Sequence, residues 1–178
     1  MPSGPTVADR LEFETLSKKH KAARKDFDCG ESTLNTYLQR QAGQDSRRDL
    51  AVTTVAMNTD ELRIAGYYTA SMLGIGVGTI PSDLSGSLPH ERPIPAMLIG
   101  RLAVDHRYQG HGVGGRLLAQ ALHAAYRASQ EAGIAFVVVD ALNDRATAFY
   151  EAFGFIPATP SKRLFLPMAT IRAEFTDG

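Results

Sequence analysis

Residues 101–115 read RLAVDHRYQGHGVGG, and the fold turns on how they are read. The apolar run AMLIGRLAV at 96–104 has the bulky, partly β-branched character of a buried strand. A polar turn follows at 105–109, then glycines at 110, 112, 114 and 115. Beyond them Leu117, Leu118, Ala121, Leu122, Ala125 and Tyr126 recur at helical spacing. The unit is strand, glycine-rich turn, amphipathic helix, and its physics is anion binding. Glycines lacking a Cβ let backbone N–H groups approach a ligand, and a helix start carries unpaired donors and the positive end of the macrodipole. A pyrophosphate is the natural guest.

Two readings compete for the same letters. Gly110-His-Gly112-Val-Gly-Gly115 is a literal G-x-G-x-x-G, the dinucleotide fingerprint, and Asp140 closes the next strand where a ribose-binding acid would stand. That motif needs its first glycine almost at the strand's end, in the first unit of a doubly wound sheet. Here residues 105–109 intervene, and too little chain follows for five more strands. The second reading is Arg107-x-x-Gly110-x-Gly112, with a further glycine at 114. That is the acetyl-CoA pyrophosphate signature of the GNAT N-acetyltransferases, which this chain resembles. A turn with no ligand fits poorly with four glycines set against a helix start.

Length and composition bound the rest. A chain of 178 residues, 44% hydrophobic, predicts one globular domain over 1–178 with ample core. Lys plus Arg and Asp plus Glu number 19 each, so binding to nucleic acid or membrane requires a local patch. Cys29 is the single cysteine, which excludes an intramolecular disulfide and fits a reducing cytoplasm. Residues 1–16 show no apolar leader segment, and no stretch has the apolar length of a membrane span. The five histidines and Cys29 show no metal-ligand spacing, so no metal site is expected.

In chain order, 11–16 alternates as a first strand and Ser17 stands as an N-cap. Lys18, Lys19, His20, Lys21, Arg24 and Lys25 then crowd into little more than two helical turns. Such a one-signed run reads either as a solvated face or as a phosphate-binding patch. Phe27-Asp-Cys-Gly30 is a turn, with Ser32 expected to cap a helix bearing Leu34, Tyr37 and Leu38. Polar residues 39–49, with Arg47 and Arg48 adjacent, lead to a strand at 51–57, a turn at 58–60 and a partner strand at 62–72. Cys29 reads as a buried small residue rather than a nucleophile. The stretch 74–93, which includes Arg92, is rich in Gly, Ser and Pro; it reads as a long loop able to line or cover a substrate cleft. Residues 134–139 form a buried parallel strand. Ala146, Phe149, Tyr150 and Phe153 give a helix that stops at Gly154, and 163–168 is a last strand whose Pro167 belongs at an edge or an end.

The GNAT resemblance rests on Arg107-x-x-Gly110-x-Gly112 and on Asn143 followed by Ala146-Thr-Ala-Phe-Tyr150-Glu-Ala-Phe-Gly-Phe155. It implies an α/β (α+β) fold whose mixed central sheet is splayed at the acetyl-CoA site and flanked by helices. It also implies site residues. Leu102, Ala103 and Val104 form the edge that pairs with the pantetheine arm. Arg107, Gln109, Gly110, His111, Gly112, Val113, Gly114 and Gly115 hold the pyrophosphate. Asn143 and Phe149 contact the cofactor, and Tyr150 stands near the sulfur. The N-terminal half narrows the likeness. Phe27-Asp-Cys-Gly30, Leu34-Asn-x-Tyr-Leu38, Ala42-x-Gln44-Asp45 and Arg163-Leu-Phe-Leu-Pro-Met168 resemble the TacT-like toxins of bacterial type II toxin–antitoxin modules. That likeness implies acetylation of the α-amino group of aminoacyl-tRNA, a ribbon-helix-helix antitoxin as partner, and a homodimer. Lys18, Lys19, Lys21, Arg24, Lys25, Arg47, Arg48 and Arg92 become the tRNA-binding candidates.

The chemistry is amine attack on an acetyl thioester. Backbone N–H groups at 102–104 would stabilise the developing oxyanion, and Tyr150 would protonate the thiolate. Tyr150 also shares an apolar face with Phe149 and Phe153, so a plain core aromatic is the competing reading. An α-amino group titrates near ~7.7–8.0 and lower when its acid is esterified, so no strong base is needed; a lysine at ~10.4 would need one. Arg101 and Asp105 read as a structural charged pair or as turn-capping groups. Two other functions stay open: acetylation of a small amine or protein N-terminus, and a silent acyl-CoA-binding module.

Overall fold

The computed structural model describes residues 4–176. In chain order it contains β1 (Leu11–Thr15), α1 (Lys21–Lys25), α2 (Ser32–Thr36), α3 (Ala42–Arg47), β2 (Val52–Asn58) and β3 (Arg63–Ile75). Next come α4 (Ser82–Ser85), β4 (Ile94–Val104), α5 (Val113–Ser129), β5 (Phe136–Asp140) and α6 (Asp144–Ala152). The last described elements are β6 (Ile156–Pro157), β7 (Arg163–Pro167) and α7 (Met168–Thr176). The strands lie in the order β1-β2-β3-β4-β5-β7-β6. The β4–β5 pair is parallel, and the β1–β2, β2–β3, β5–β7 and β6–β7 pairs are antiparallel. This is the mixed sheet with helices that the resemblance implies. The chain packs as two compact units, one of residues up to Ser71 with Arg101–Ala121, the other of Met72–Gly100 with residues from Leu122 onward.

In the first unit, β1 and β2 pair from Leu11↔Asn58 to Thr15↔Thr54. The β2–β3 turn is tied by Asn58, whose Oδ1 accepts from the N–H groups of Asp60 and Glu61 at 3.1 and 3.2 Å. The core gathers Leu16, Phe27, Tyr37, Leu38, Val55, Tyr67 and Ala103. Tyr67 meets Phe27 edge-on and stacks with Tyr37, and each tyrosine hydroxyl has an acceptor: Leu34 O for Tyr67, Asp45 Oδ2 for Tyr37. Helix α5 crosses this layer at Gly66, where a Cβ would stand 2.7 Å from Leu117 Cδ1 and 2.8 Å from Ala103 O. Glycine is obligatory there for helix and strand to close.

Two local expectations fail in this unit. Ser32 does not cap α2. The cap is Glu31, whose carbonyl takes the N–H groups of Leu34 and Asn35. The polar stretch 39–49 is not a connector but mostly helix, with a π turn at Tyr37–Gln41 continuing into α3. Within 39–49 only Ala42 is buried and apolar, too little to show a helical period.

In the second unit, β4 pairs with β5 over Ala96↔Phe136 to Ile99↔Val139. The core holds Ile75, Ile80, Ile94, Phe136, Val138 and Phe165. Part of the stretch 74–93 therefore belongs to the core and is no free cover. Its buried Val77 and Ile80 anchor a 3-10 turn, and a Cβ on Gly74 would stand 2.9 Å from Pro93 Cβ. Its Gly, Ser and Pro content masked these apolar anchors. Pro167 ends β7, which is interior, while the two-residue β6 forms the edge. Three elements of this unit went unforeseen: α4, inside the stretch read as a loop, β6, and α7, whose Phe175 packs on His123 and Tyr126 of α5.

Candidate active site

The β4–β5 ladder stops at Ile99, yet β4 runs on to Val104. Leu102, Ala103 and Val104 thus lie beyond the last β5 partner, with Ala103 buried and the others half-buried. At the strand's end Asp105 donates its N–H to Ala65 O. Gly110 and Gly112 both have φ +81°, the left-handed region that glycine alone enters without strain, and open space surrounds both. Gly112 O accepts the first helical bond, from Arg116 N–H. Among the described residues no side chain accepts from Val113, Gly114 or Gly115 N–H. The 17-residue α5 therefore presents its first-turn donors and its dipole unspent.

The surrounding polar groups divide by role. Arg107 and His111 are exposed. Asp105 is buried, its Oδ1 accepting from Arg107 N–H and its Oδ2 from Asp28 N–H, while Arg107 Nη1 lies 3.7 Å from Oδ2. Asp105 is therefore a turn cap, and its partner is not Arg101. Arg101 lies instead 3.5 Å from the centre of the Tyr37 ring, a cation–π contact. The Gln109 side chain faces the protein, Nε2 donating to Val104 O at 2.9 Å and to Cys29 O at 3.1 Å. Burial pushes the Cys29 thiol up, the wrong direction for a nucleophile.

In the second unit Asn143 is the N-cap of α6, its Oδ1 accepting from Ala146 N–H at 2.9 Å. Tyr150 is buried between Phe149 and Phe155, with ring centres 5.2 and 5.5 Å away. Its hydroxyl makes no hydrogen bond among the described residues, and burial pushes its pKa up to about 12. Asp140, the acid a dinucleotide site would need, is held bidentately by Arg163 at 2.8 and 2.9 Å. Among the described residues no group of three or more His, Cys, Asp or Glu side chains is arranged to hold a metal ion.

The basic run is not uniform. Lys18, Lys21 and Lys25 are exposed, while Lys19 lies 3.0 Å from Glu14, a surface pair of small worth. His20 is buried: its Nδ1 accepts from Ser17 N–H, so Nε2 carries the proton and donates to Glu14 Oε2 at 2.7 Å. That bond, then Lys19, holds the Glu14 carboxyl below its usual range. The Nε of half-buried Arg24 is buried without a partner. Arg24 Nη1 and Arg47 Nη1 each lie 3.4 Å from the point a Cβ on Gly43 would occupy. The fold thus joins two basic segments that stand apart in the chain. Arg48 and Arg92 are exposed. The roles of Asn35, Gln109 and Arg101 escaped sequence reasoning; the one local hint was Asp28-Cys-Gly30, an Asx-turn pattern.

Comparison with known proteins completes the description. Residues 64–157 match the acetyltransferase (GNAT) domain. The probable toxin TacT of Sinorhizobium fredii is 31% identical over 156 residues, covering 83% of this chain and 86% of the relative. The tRNA-acetylating toxin of Mycobacterium tuberculosis is 32% identical over 152 residues, covering 85% and 89%. Among solved structures, AtaT complexed with acetyl-methionyl-tRNAfMet superposes with a TM-score of 0.84 at 33% identity, over 93% of this chain and 99% of that one. A tyrosine-to-phenylalanine mutant of AtaT bound to the C-terminus of the antitoxin AtaR and acetyl-CoA gives 0.79 at 32%, over 94% and 99%. A strand that outruns its partner, a left-handed glycine turn, an uncapped helix and these likenesses agree: the chain belongs to the GNAT acetyltransferases, among the TacT-like toxins.

Proposed function

We propose that this chain transfers acetyl from acetyl-CoA to the α-amino group of an aminoacyl-tRNA and so blocks translation. The likeness to AtaT, at 33% identity over 93% of this chain, carries the reading, because AtaT is complexed with an acetylated aminoacyl-tRNA. Residues 1–178 act as one acetyltransferase domain. The open space and positive φ at Gly110 and Gly112 and the unspent donors of Val113, Gly114 and Gly115 fit a pyrophosphate. Arg107 adds positive charge. When bound, acetyl-CoA supplies the acetyl thioester. The backbone at Leu102, Ala103 and Val104 pairs with the pantetheine arm and stabilises negative charge on the acetyl oxygen. The Asn143 side-chain amide hydrogens, which no described residue accepts, are available to the same arm, and Phe149 packs against it.

Tyr150 handles the proton. An ordinary thiol titrates near ~8.5, well below this phenol, so transfer to the thiolate is uphill unless the phenol is refilled. Tyr150 donates to the departing sulfur and regains a proton from the nitrogen being acetylated. The cycle moves one proton from amine to thiol and consumes none. Arg24 and Arg47, brought together at Gly43, form the centre of the tRNA grip with Lys18, Lys19, Lys21, Lys25 and Arg48; Arg92 is a further tRNA-binding candidate. A ribbon-helix-helix antitoxin, a homodimeric state and a cytoplasmic location complete the proposal. Among the described residues no helix is long and apolar enough to cross a membrane.

Acetyl transfer measured side by side on charged tRNA, small amines and N-terminal peptides tests the reading. Transfer to charged tRNA, with a KM that rises with salt, is expected. Transfer only to small amines or peptides, or acetyl-CoA binding without transfer, overturns it.

A further inference from the structure

The turn at 27–30 and the helix after it were read from the sequence as plain structure, yet they are bonded to the glycine turn at many points. His106 N–H donates to Asp28 O at 2.8 Å, and Asp28 N–H donates to Asp105 Oδ2 at 3.0 Å. His106 Nδ1 lies 2.8 Å from Asp28 O, which requires the proton on Nδ1. The Gln109 carboxamide bridges Cys29 O and Val104 O. The 28–30 turn is held in turn by Asn35. Its Oδ1 accepts from Cys29 N–H at 2.8 Å and its Nδ2 donates to Asp28 Oδ1 at 2.9 Å, the oxygen that also takes Gly30 N–H. Both ends of the Asn35 amide are therefore used on one turn.

Residues 105–109 form the rigid stem that leads into Gly110 and Gly112. Glycines in the left-handed region confer no rigidity themselves, since glycine samples many conformations. Something else must hold the stem, and these bonds do so from outside the β4–α5 unit. We propose that Asn35 is a positioning residue for acyl-CoA: through the 28–30 turn and Gln109 it presents the donors of residues 110–115 in their binding arrangement. Gln109 serves this purpose with its side chain, leaving only its backbone for the ligand. The inference rests on the pyrophosphate assignment above and gives the N-terminal motif a task in cofactor affinity.

Preorganisation lowers the ordering cost of binding, so loosening the stem weakens affinity without touching the reacting atoms. The test is calorimetric titration of the full chain with acetyl-CoA, together with steady-state kinetics. Asn35→Ala removes both bonds to the turn. It should raise Kd and KM for acetyl-CoA about tenfold, the scale of losing two net hydrogen bonds, one half-buried and one exposed, with kcat at saturating acetyl-CoA within about twofold. A merely structural residue would lower thermal stability and leave this split unmoved. Gln109→Met, at an exposed position, removes the bridge at little risk to folding and should raise Kd in the same direction. If Asn35→Ala does not fold, Gln109→Met decides. Wild-type Kd in the folded variants, or a kcat loss at unchanged Kd, overturns the proposal. Gly112→Asp separates the two readings: if it too binds acetyl-CoA normally, the pyrophosphate assignment fails; if it alone loses binding, only the role of Asn35 does.

Discussion

Helices α5 and α6 both start after a strand and a short polar turn, yet they treat their first donors in opposite ways. In α6 the cap is a side chain: Asn143 Oδ1 takes Ala146 N–H, and Asn143 O takes both Thr147 N–H and Thr147 Oγ1. The cap thus takes one first-turn donor with its side chain, and its carboxamide NH2 is left for a ligand. In α5 the cap is Gly112, which contributes a carbonyl and no side chain. Glycine at an N-cap costs a helix only a few tenths of a kcal/mol against the best caps, so α5 stays stable while its donors remain open. A capped start is a stability device and an uncapped glycine start is a binding device.

The strongest way to break that contrast is to make α5 resemble α6. Gly112→Asp adds a carboxylate able to cap the first turn, at a position where a Cβ meets nothing within 4 Å. Aspartate tolerates the left-handed region at a cost of about 1 kcal/mol. The helix should survive, while self-capping and charge repulsion abolish acetyl-CoA binding. Calorimetry on the folded variant reads the result, and normal affinity would remove α5 from the site.

Tyr150→Phe addresses the other unit. Binding should be unchanged and kcat should fall ~10²–10⁴-fold, the usual span for a lost general acid. Wild-type turnover with chemistry rate-limiting would return Tyr150 to the status of a core aromatic. The wild-type kcat profile should also show no tyrosine limb below about pH 10, because burial holds that phenol's proton up to about 12.

A smaller effect is expected at the α6 cap. Asn143→Ala should cost about 1 kcal/mol in urea unfolding and Asn143→Gly a few tenths, the ordering seen at N-caps. Equal costs would mean that the Ala146 bond contributes nothing.

The smallest effect separates the two starts by pH. The Gly30 N–H bond, then Asn35, holds the Asp28 carboxyl below its usual value. A depressed folded pKa means that the bonded carboxylate stabilises the protein above the unfolded value of ~3.9, and that this share disappears as pH falls through the folded value. Hydrogen exchange around residues 28–30 should therefore accelerate, relative to its intrinsic rate, as pH falls below about 4, while the neutral Asn143 cap shows no such step. Identical pH responses would unseat Asp28 as an anchor.

Much of this could be read from the chain alone, for a definite reason. The strand-turn-helix at 101–115, the stop of α6 at Gly154 and the face bearing Phe149 and Tyr150 are local patterns, set by side-chain period and glycine freedom within a few residues. Letter patterns also separated the acetyl-CoA reading from the dinucleotide one. Polar side chains carry no such period. Whether Gln109 faces a ligand or two carbonyls, whether Arg101 pairs with Asp105 or lies on Tyr37, and whether Arg24 meets Arg47 depend on segments far apart in the chain. Hydrogen bonds are directional and short-ranged, so their partners exist only once packing has brought backbone from positions 28 and 105 together. The apolar pattern selects the fold, and the folded chain then selects the partners of its polar groups.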